Sequence, residues 1–467
     1  AVLLAGLASP LATLRAEPSR KVDPDRAMQS IGNPTWYDRG SDSYSPPRTA
    51  QPQDNSIRSD GWLAKGIGTP QSANRSGSWN LGLSGLNADM VALYDMTVGT
   101  APEYYGEILP GEDGTLSFQA DSSNREFLVV DPTTVSVPLE LRPHTTPSLR
   151  TMTAGADYVI IAASHLVADA EALANHREAD GYQVLVVDVD DVYWAFADGE
   201  PDPAAIRAFL AHAWTTWDTQ PRFATLVGKG SVDYRDLLGA GGNWLPPMLA
   251  PTDGGLIPAD SMFGDVVGDD GIPEVAVGRL PVTTGDELDR VLQAIARFES
   301  SERDDPESLR LFAADASEEE DFAAAARLLA TNVEAARRQE IDLNSEDLET
   351  ARDRLYSMWE APLGWVTFVG HGGLDRFGND GLLASADVPA LEALPGTPVV
   401  VGWSCNIGRF DLPGFVSLGE ELVKTGASAG VFSATGWSNH VDTDSMRTAF
   451  SEVAFASDAE TIGDAML

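Results

Sequence analysis

Apolar residues along this chain follow two different rhythms. Between residues 78 and 145 they fall in short runs beginning at Val91, Thr115 and Phe127, separated by Gly, Pro and Asp. Runs of that length with turn residues between them predict a small antiparallel β-sandwich over residues 61–150. After Thr153 strand-like and helix-like segments alternate. An apolar run from Tyr158 leads to a helical pattern that starts near Leu166 and stops on Gly181, and a further apolar run follows from Tyr182. This is a βαβ unit. Pro203 opens a helix through Ile206, Phe209, Leu210 and Trp214, the runs at Phe223 and Val275 predict strands, and Leu288, Val291, Leu292, Ile295 and Phe298 share one helical face. The polar stretch 300–308 divides this α/β region into a half over 155–300 and a half over 307–467, the second opening with the run at Leu309. Residues 1–60 mix Pro, Ser, Asp, Arg and Gln without periodicity and predict a linker or disordered segment.

Two runs in the second half end on reactive side chains. One runs through Trp365 and Val369 into Gly370-His371-Gly372, and the other runs from Pro398 into Trp403-Ser404-Cys405-Asn406. In open parallel sheets the carboxyl ends of the strands carry the site, so two such strands bring a thiol and an imidazole to one edge. Cys405 is then the candidate nucleophile and His371 its acid/base partner. A lone cysteine is by default a small buried core residue, and the pairing with His371 is what argues otherwise. The backbone N–H groups of Gly372 and Cys405 are the candidate oxyanion donors. Trp437, after the last apolar run, is a candidate wall of a substrate pocket, or a packing residue, and Trp403 a candidate floor.

Composition narrows the function. The 467 residues include 71 acidic and 31 basic side chains, a net charge of −40 that disfavours nucleic acid and anionic membranes. The length requires more than one core. With a single cysteine there is no internal disulfide framework, and no run approaches the roughly eighteen apolar residues of a membrane span. The apolar start fits the remnant of a secretion signal, and the uncapped helical pattern at Leu467 fits a chain that continues.

The residues that carry a resemblance are His371-Gly372, then 34 residues on Cys405-Asn406 with Gly408 and Phe410, the stretch from Ser417 to Leu422 and the Gly-rich stretch 426–436. The turn at Gly228-Lys229-Gly230 and the segment 260–279 add to it. Together they resemble the gingipain-type cysteine peptidases, over about 155–467. The resemblance implies a caspase-like open sheet flanked by helices in two subdomains, here preceded by the β-sandwich. It implies a cysteine endopeptidase of protein or peptide substrates, secreted or at the cell surface. It assigns Cys405 as nucleophile, His371 as general acid/base and Glu274 as the carboxylate that orients the histidine. Ser404 departs from the small residue, commonly Ala, that the family carries before the cysteine. No cofactor is required. The acidic cluster around Asp265 and Asp269 lacks the spacing of an Asp-x-Asp-x-Asp-Gly calcium loop and reads as a solvated loop, while the resemblance keeps a structural calcium open. Two other functions fit the same residues: a transpeptidase that resolves the thioester with an amine, and a scaffold that uses the fold for binding alone.

Overall fold

The computed structural model describes residues 149–467, apart from 253–254, 269, 305–307, 362, 439 and 457–460. Before residue 149 it describes only 4–5, 56–58, 61–65, 79–83, 86, 88–96, 103–112, 114–120 and 126–132. The chain divides into two compact units, residues 36–144, and residues 1–35 with 145–467.

The smaller unit is antiparallel. Its strands Ser56–Arg58, Gly61–Lys65, Glu126–Val130, Val91–Asp95 and Glu103–Ile108 form one sheet in that order, and Trp79–Leu83 pairs with Leu116–Ala120. Val91, Leu93, Leu116, Phe127 and Val129 form its small core. Their spacing of two along Val91–Asp95 and Glu126–Val130 is the period that marks a strand with one face turned to a core.

The larger unit is α/β. Its first half contains β1 (Tyr158–Ala162), α1 (Val167–Ala179), β2 (Val184–Asp188), α2 (Val189–Phe196), α3 (Pro203–Thr216) and β3 (Phe223–Val227). A hairpin of β4 (Leu249–Thr252) and β5 (Gly255–Pro258) follows, then β6 (Ala276–Leu280) and α4 (Gly285–Asp304). The second half contains β7 (Leu309–Ala314), α5 (Phe322–Ala330), β8 (Arg338–Asp342), α6 (Leu348–Trp359) and β9 (Leu363–Val369). It ends with the hairpin β10 (Arg376–Phe377) and β11 (Leu383–Ala384), α7 (Val388–Glu392), β12 (Val399–Trp403), α8 (Leu418–Lys424), β13 (Gly430–Ser433) and α9 (His440–Ala456).

The strands form two parallel sheets, one ordered β2-β1-β3-β6 and one ordered β13-β12-β9-β7-β8. Helices start where the sequence offers caps: Asp202 accepts from Ala204 N ahead of Pro203, and Ser417 and Glu420 close a reciprocal capping box on α8. One apolar core crosses both sheets, taking in Ile160, Leu280, Leu288, Val291, Ile295, Phe368 and Val400. Separate cores cover the opposite faces, with Val159 and Ile161 in one and Trp365, Val399 and Val401 in the other. Burial on both faces explains why these strands read as unbroken apolar runs.

Two stretches inside the expected linker 1–60 are strands. Leu4–Ala5 pairs in parallel with Val431 and Phe432 at the edge of the second sheet, and Ser56–Arg58 belongs to the antiparallel unit. Main-chain pairing of so short a segment leaves no hydrophobic period to detect. The rest of 1–60 lies outside the described residues. Among the described residues no helix is long and apolar enough to cross a membrane.

Candidate active site

Strand register brings the predicted pair together. β9 and β12 are parallel neighbours with Val369 opposite Trp403, and Gly370 N donates to Trp403 O at 3.3 Å. His371 and Cys405 each follow two residues after that couple, so they leave the same edge of the sheet side by side. The two strands are about 4.8 Å apart, as hydrogen-bonded neighbours must be.

The His371 ring is exposed and meets the Phe322 ring edge-on, with centroids 5.2 Å apart. Its loop turns back on itself: Gly373 N donates to Arg376 O (3.0 Å) and Gly378 N to His371 O (2.9 Å). The loop is anchored from below by Asp315, the residue after β7, which is 2% exposed and whose Oδ2 accepts from His371 N at 3.1 Å. Its Oδ1 accepts from Ala316 N at 3.0 Å. A Cβ on Gly370 would come within 2.2 Å of Asp315 Cβ, and one on Gly378 within 2.8 Å of Asp315 Oδ1, so both positions must be bare for the carboxylate to fit. Burial raises the pKa of this carboxyl, against the two amide donors and the His371 charge, which lower it. No motif pointed to Asp315. The one signal is positional, since it ends the run from Leu309 as His371 and Cys405 end theirs.

Cys405 is half-buried, and its Sγ is turned toward Ser438, whose N–H donates to it at 3.4 Å. Asn406 has φ +60°, and Ile407 N donates to Cys405 O at 2.8 Å, closing a three-residue turn directly after the thiol. A left-handed backbone at a non-Gly residue is unfavourable, and Asn is among the residues that tolerate it. The turn is pinned to the segment after β13: Asn406 N donates to Gly436 O (2.9 Å) and Gly408 N to Ala434 O (3.0 Å). Trp437 lies in that segment between Gly436 and Ser438, the residue in contact with the thiol, and is 64% exposed. Its ring is therefore open to solvent and not packed into a core. Gly372 lies close against Cys405 and Ser404, where a Cβ would approach Cys405 O to 2.4 Å and Ser404 Oγ to 2.8 Å. Among the described residues the N–H groups of Gly372 and Cys405 donate to no acceptor.

Other predicted residues lie elsewhere. Glu274, expected to orient His371, precedes β6 at its amino end, and its Oε2 accepts from Val266 N (3.0 Å) and Val267 N (2.9 Å). That carboxylate is committed to its own loop, at the end of the strand opposite to the one that would reach a carboxyl-edge site. Trp403, expected as pocket floor, is 7% exposed and packs on Phe432 and Phe450. With Val399 and Val401 it faces the core under α9, away from the thiol edge. Asp265, expected as a cation ligand, accepts from Gly271 N at 2.9 Å and lies 3.6 Å from Arg207. Asp269 is outside the described residues. Among the described residues the acid and histidine side chains close enough to hold a metal are His176, Asp180 and Glu299, but the Arg177 guanidinium already bridges Asp180 (3.1 Å) and Glu299 (2.7 Å).

The family model for peptidase family C25 matches residues 151–467, more than half of the chain. No curated protein sequence matches it. Among solved structures the chain is similar to the Arg-specific cysteine proteinase gingipain R (RgpB), at a TM-score of 0.53 and 15% identity over 69% of this chain and 73% of that one. It is similar also to the complex of the pro- and mature domains of RgpB from Porphyromonas gingivalis, at 0.53 and 14% over 66% and 72%. Dimeric latent PorU from the same organism gives 0.38 and 23% over 48% of this chain, which spans only 23% of the PorU chain. At these identities the two RgpB structures establish the fold.

Proposed function

The chain belongs to peptidase family C25, and from that premise we propose that it is a cysteine endopeptidase that cleaves protein or peptide substrates through Cys405 and His371. The observation that carries this reading is the register of β9 and β12, which sends an imidazole and the chain's single thiol off one sheet edge at equal offsets.

The Cys405 thiolate attacks the scissile carbonyl carbon, and the carbonyl oxygen gathers negative charge. The N–H groups of Gly372 and Cys405, which have no acceptor among the described residues, take up that charge, and one such donor is worth about 3 kcal/mol of transition-state stabilisation. His371 gives its proton to the leaving amine as the carbon–nitrogen bond breaks, which leaves an acyl thioester on Cys405. Water then attacks the thioester, passing its proton to His371, and collapse of the second tetrahedral adduct expels the thiolate. Asp315 does not touch substrate. It holds the His371 loop through the backbone N–H and places a carboxylate behind the imidazole as that ring becomes cationic. The thiol faces Ser438 and the imidazole faces Phe322 in the free protein, so the two are joined through the bound substrate and not through a direct hydrogen bond.

Cys405→Ala should abolish hydrolysis of a peptide library while leaving the circular dichroism spectrum and unfolding midpoint close to those of the parent. Retained hydrolysis in that variant sinks the assignment. Product analysis with an added amine separates hydrolysis from transpeptidation, because only the latter yields the amide.

A further inference from the structure

Among the described residues the sulfur of Cys405 makes its hydrogen-bond contacts with one residue. Ser438 N donates to Sγ at 3.4 Å, Ser438 O lies 3.5 Å from Sγ, and Ser438 Oγ lies 3.8 Å from it. These three groups serve the two protonation states of sulfur differently. A neutral thiol has one proton to donate, and the Ser438 carbonyl is placed to accept it. A thiolate has none and accepts only, from the N–H and from the hydroxyl once that rotor turns its proton inward.

Ser438 is also held where it stands. Its segment is clamped to the nucleophile turn by the bonds from Asn406 N to Gly436 O (2.9 Å) and from Gly408 N to Ala434 O (3.0 Å). From the other side Thr435 Oγ1 donates to Pro258 O at 2.6 Å, and Gly436 fits so closely on Ile257 that a Cβ would meet its side chain at 2.7 Å. The hairpin β4–β5 of the first half and the turn after Cys405 therefore hold the segment 434–436 that leads into Ser438. A donor pair preorganised on a developing anion stabilises it without reorganising at the moment of reaction.

We propose that Ser438 is a catalytic residue of this site, whose N–H and hydroxyl stabilise the Cys405 thiolate before substrate binds. The step it assists is the transfer of the sulfur's proton to His371 or to solvent. The S–H bond breaks, its electron pair stays on sulfur, and the two Ser438 donors take the place of the hydrogen bond that the S–H group made to the carbonyl. Charge-assisted hydrogen bonds are about twice as strong as neutral ones, so the hydroxyl favours the ionised form over the neutral one. The proposal rests on Cys405 as nucleophile, and its test is separable from that reading.

The test is the pH profile of Cys405 alkylation by iodoacetamide in the full chain, measured for the parent, Ser438→Ala, Ser438→Thr and Ser438→Asp, together with kcat and KM for a peptide substrate. Ser438→Ala should move the alkylation midpoint upward by roughly one pH unit, a roughly tenfold slower reaction on the acid side of the profile. Its kcat should fall at neutral pH with KM unchanged and recover as the pH is raised. Ser438→Thr, which keeps the hydroxyl, should follow the parent, and Ser438→Asp, which sets a negative charge against the sulfur, should shift further than Ala. An Ala profile that coincides with the parent's, or a Thr profile that matches Ala, overturns the proposal. Loss of hydrolysis in Cys405→Ala with an unshifted Ser438→Ala profile refutes Ser438 alone, whereas hydrolysis retained in Cys405→Ala removes the reading beneath it.

Discussion

At the scale of single residues, the candidate pair was legible because its residue types are scarce. Cys405 is the one cysteine and His371 one of six histidines, so their places at run ends carried weight. Asp315 is one of 71 acids, and an aspartate in such a chain announces nothing by type. What gives it a role is burial at 2% exposure with an oxygen on the His371 amide, and neither can be read from sequence. Glu274 shows the complementary limit: its surrounding motif reads as a strand, yet a motif does not say which end of the strand faces the site, and its carboxylate is bonded to Val266 N and Val267 N. Asp315→Asn keeps an acceptor for one amide and removes the charge behind the imidazole. Turnover should fall by about a hundredfold, the scale set by displacing a reacting group by an ångström. Iodoacetamide should still label Cys405 at the parent rate, because the thiol's own contacts are with Ser438. A turnover within about twofold of the parent, less than 1 kcal/mol on the barrier, would leave Asp315 a packing residue.

At the scale of elements, the strands and helices that bear the site followed the hydrophobic pattern, and helix starts followed their caps. The faces of the strands did not. A parallel strand buried on both sides shows no alternation, so the pattern could not tell a pocket floor at Trp403 from a core residue. Only pairing decides: Val399, Val401 and Trp403 share the face packed under α9. The turn after Cys405 was legible in part: the glycine at 408 suggests a close backbone approach to substrate, and the structure shows a close approach to the chain itself. The approach is to β13, where a Cβ on Gly408 would meet Ser433 O at 2.7 Å and Ala434 O at 3.3 Å. Both are backbone atoms of a buried strand end, which cannot swing aside as a flexible side chain would. Gly408→Ala should therefore lower stability by about 1–3 kcal/mol, the usual cost of overpacking. It should also loosen the hold on Ser438, since Gly408 N donates to Ala434 O in the segment that carries it. Denaturant unfolding gives the first effect, and a shift of the Cys405 alkylation midpoint toward that of Ser438→Ala gives the second.

At the scale of the whole α/β unit, its division into two halves was legible from the polar stretch 300–308, but what joins the halves was not. Charged side chains add to the apolar core that the two halves share. Lys229, in the turn after β3, reaches Glu420 on α8 at 2.8 Å and donates to Phe415 O at 3.2 Å. Arg279 of β6 pairs with Asp260 at 2.6 Å and lies over the Phe410 ring at 4.6 Å, in the segment that follows Cys405. In a chain of net charge −40 such side chains read as solvated surface, and only their burial reveals them as internal. Glu420 is 1% exposed, and burial pushes its pKa from 4.5 up to about 7, against the opposing pull of Lys229, the Ser417 N–H and Lys424. The sign follows from proton binding. Between pH 4.5 and about 7 the folded state keeps a proton on Glu420 that the unfolded chain has released. The stability this group contributes is thus fully present below the unfolded value and is lost as the pH rises through the folded one. Over that interval the loss is roughly 3 kcal/mol, because each pH step of one costs about 1.4 kcal/mol. Glu420→Gln keeps an oxygen for Ser417 N and cannot ionise, so it carries no such slope. The unfolding free energy of the parent minus that of the variant, measured from about pH 4 to about pH 8, should therefore decline across this interval and level off above it. A difference that stays flat over the whole range would mean that Glu420 ionises in the fold as it does in the open chain, with the Lys229 charge fully offsetting its burial.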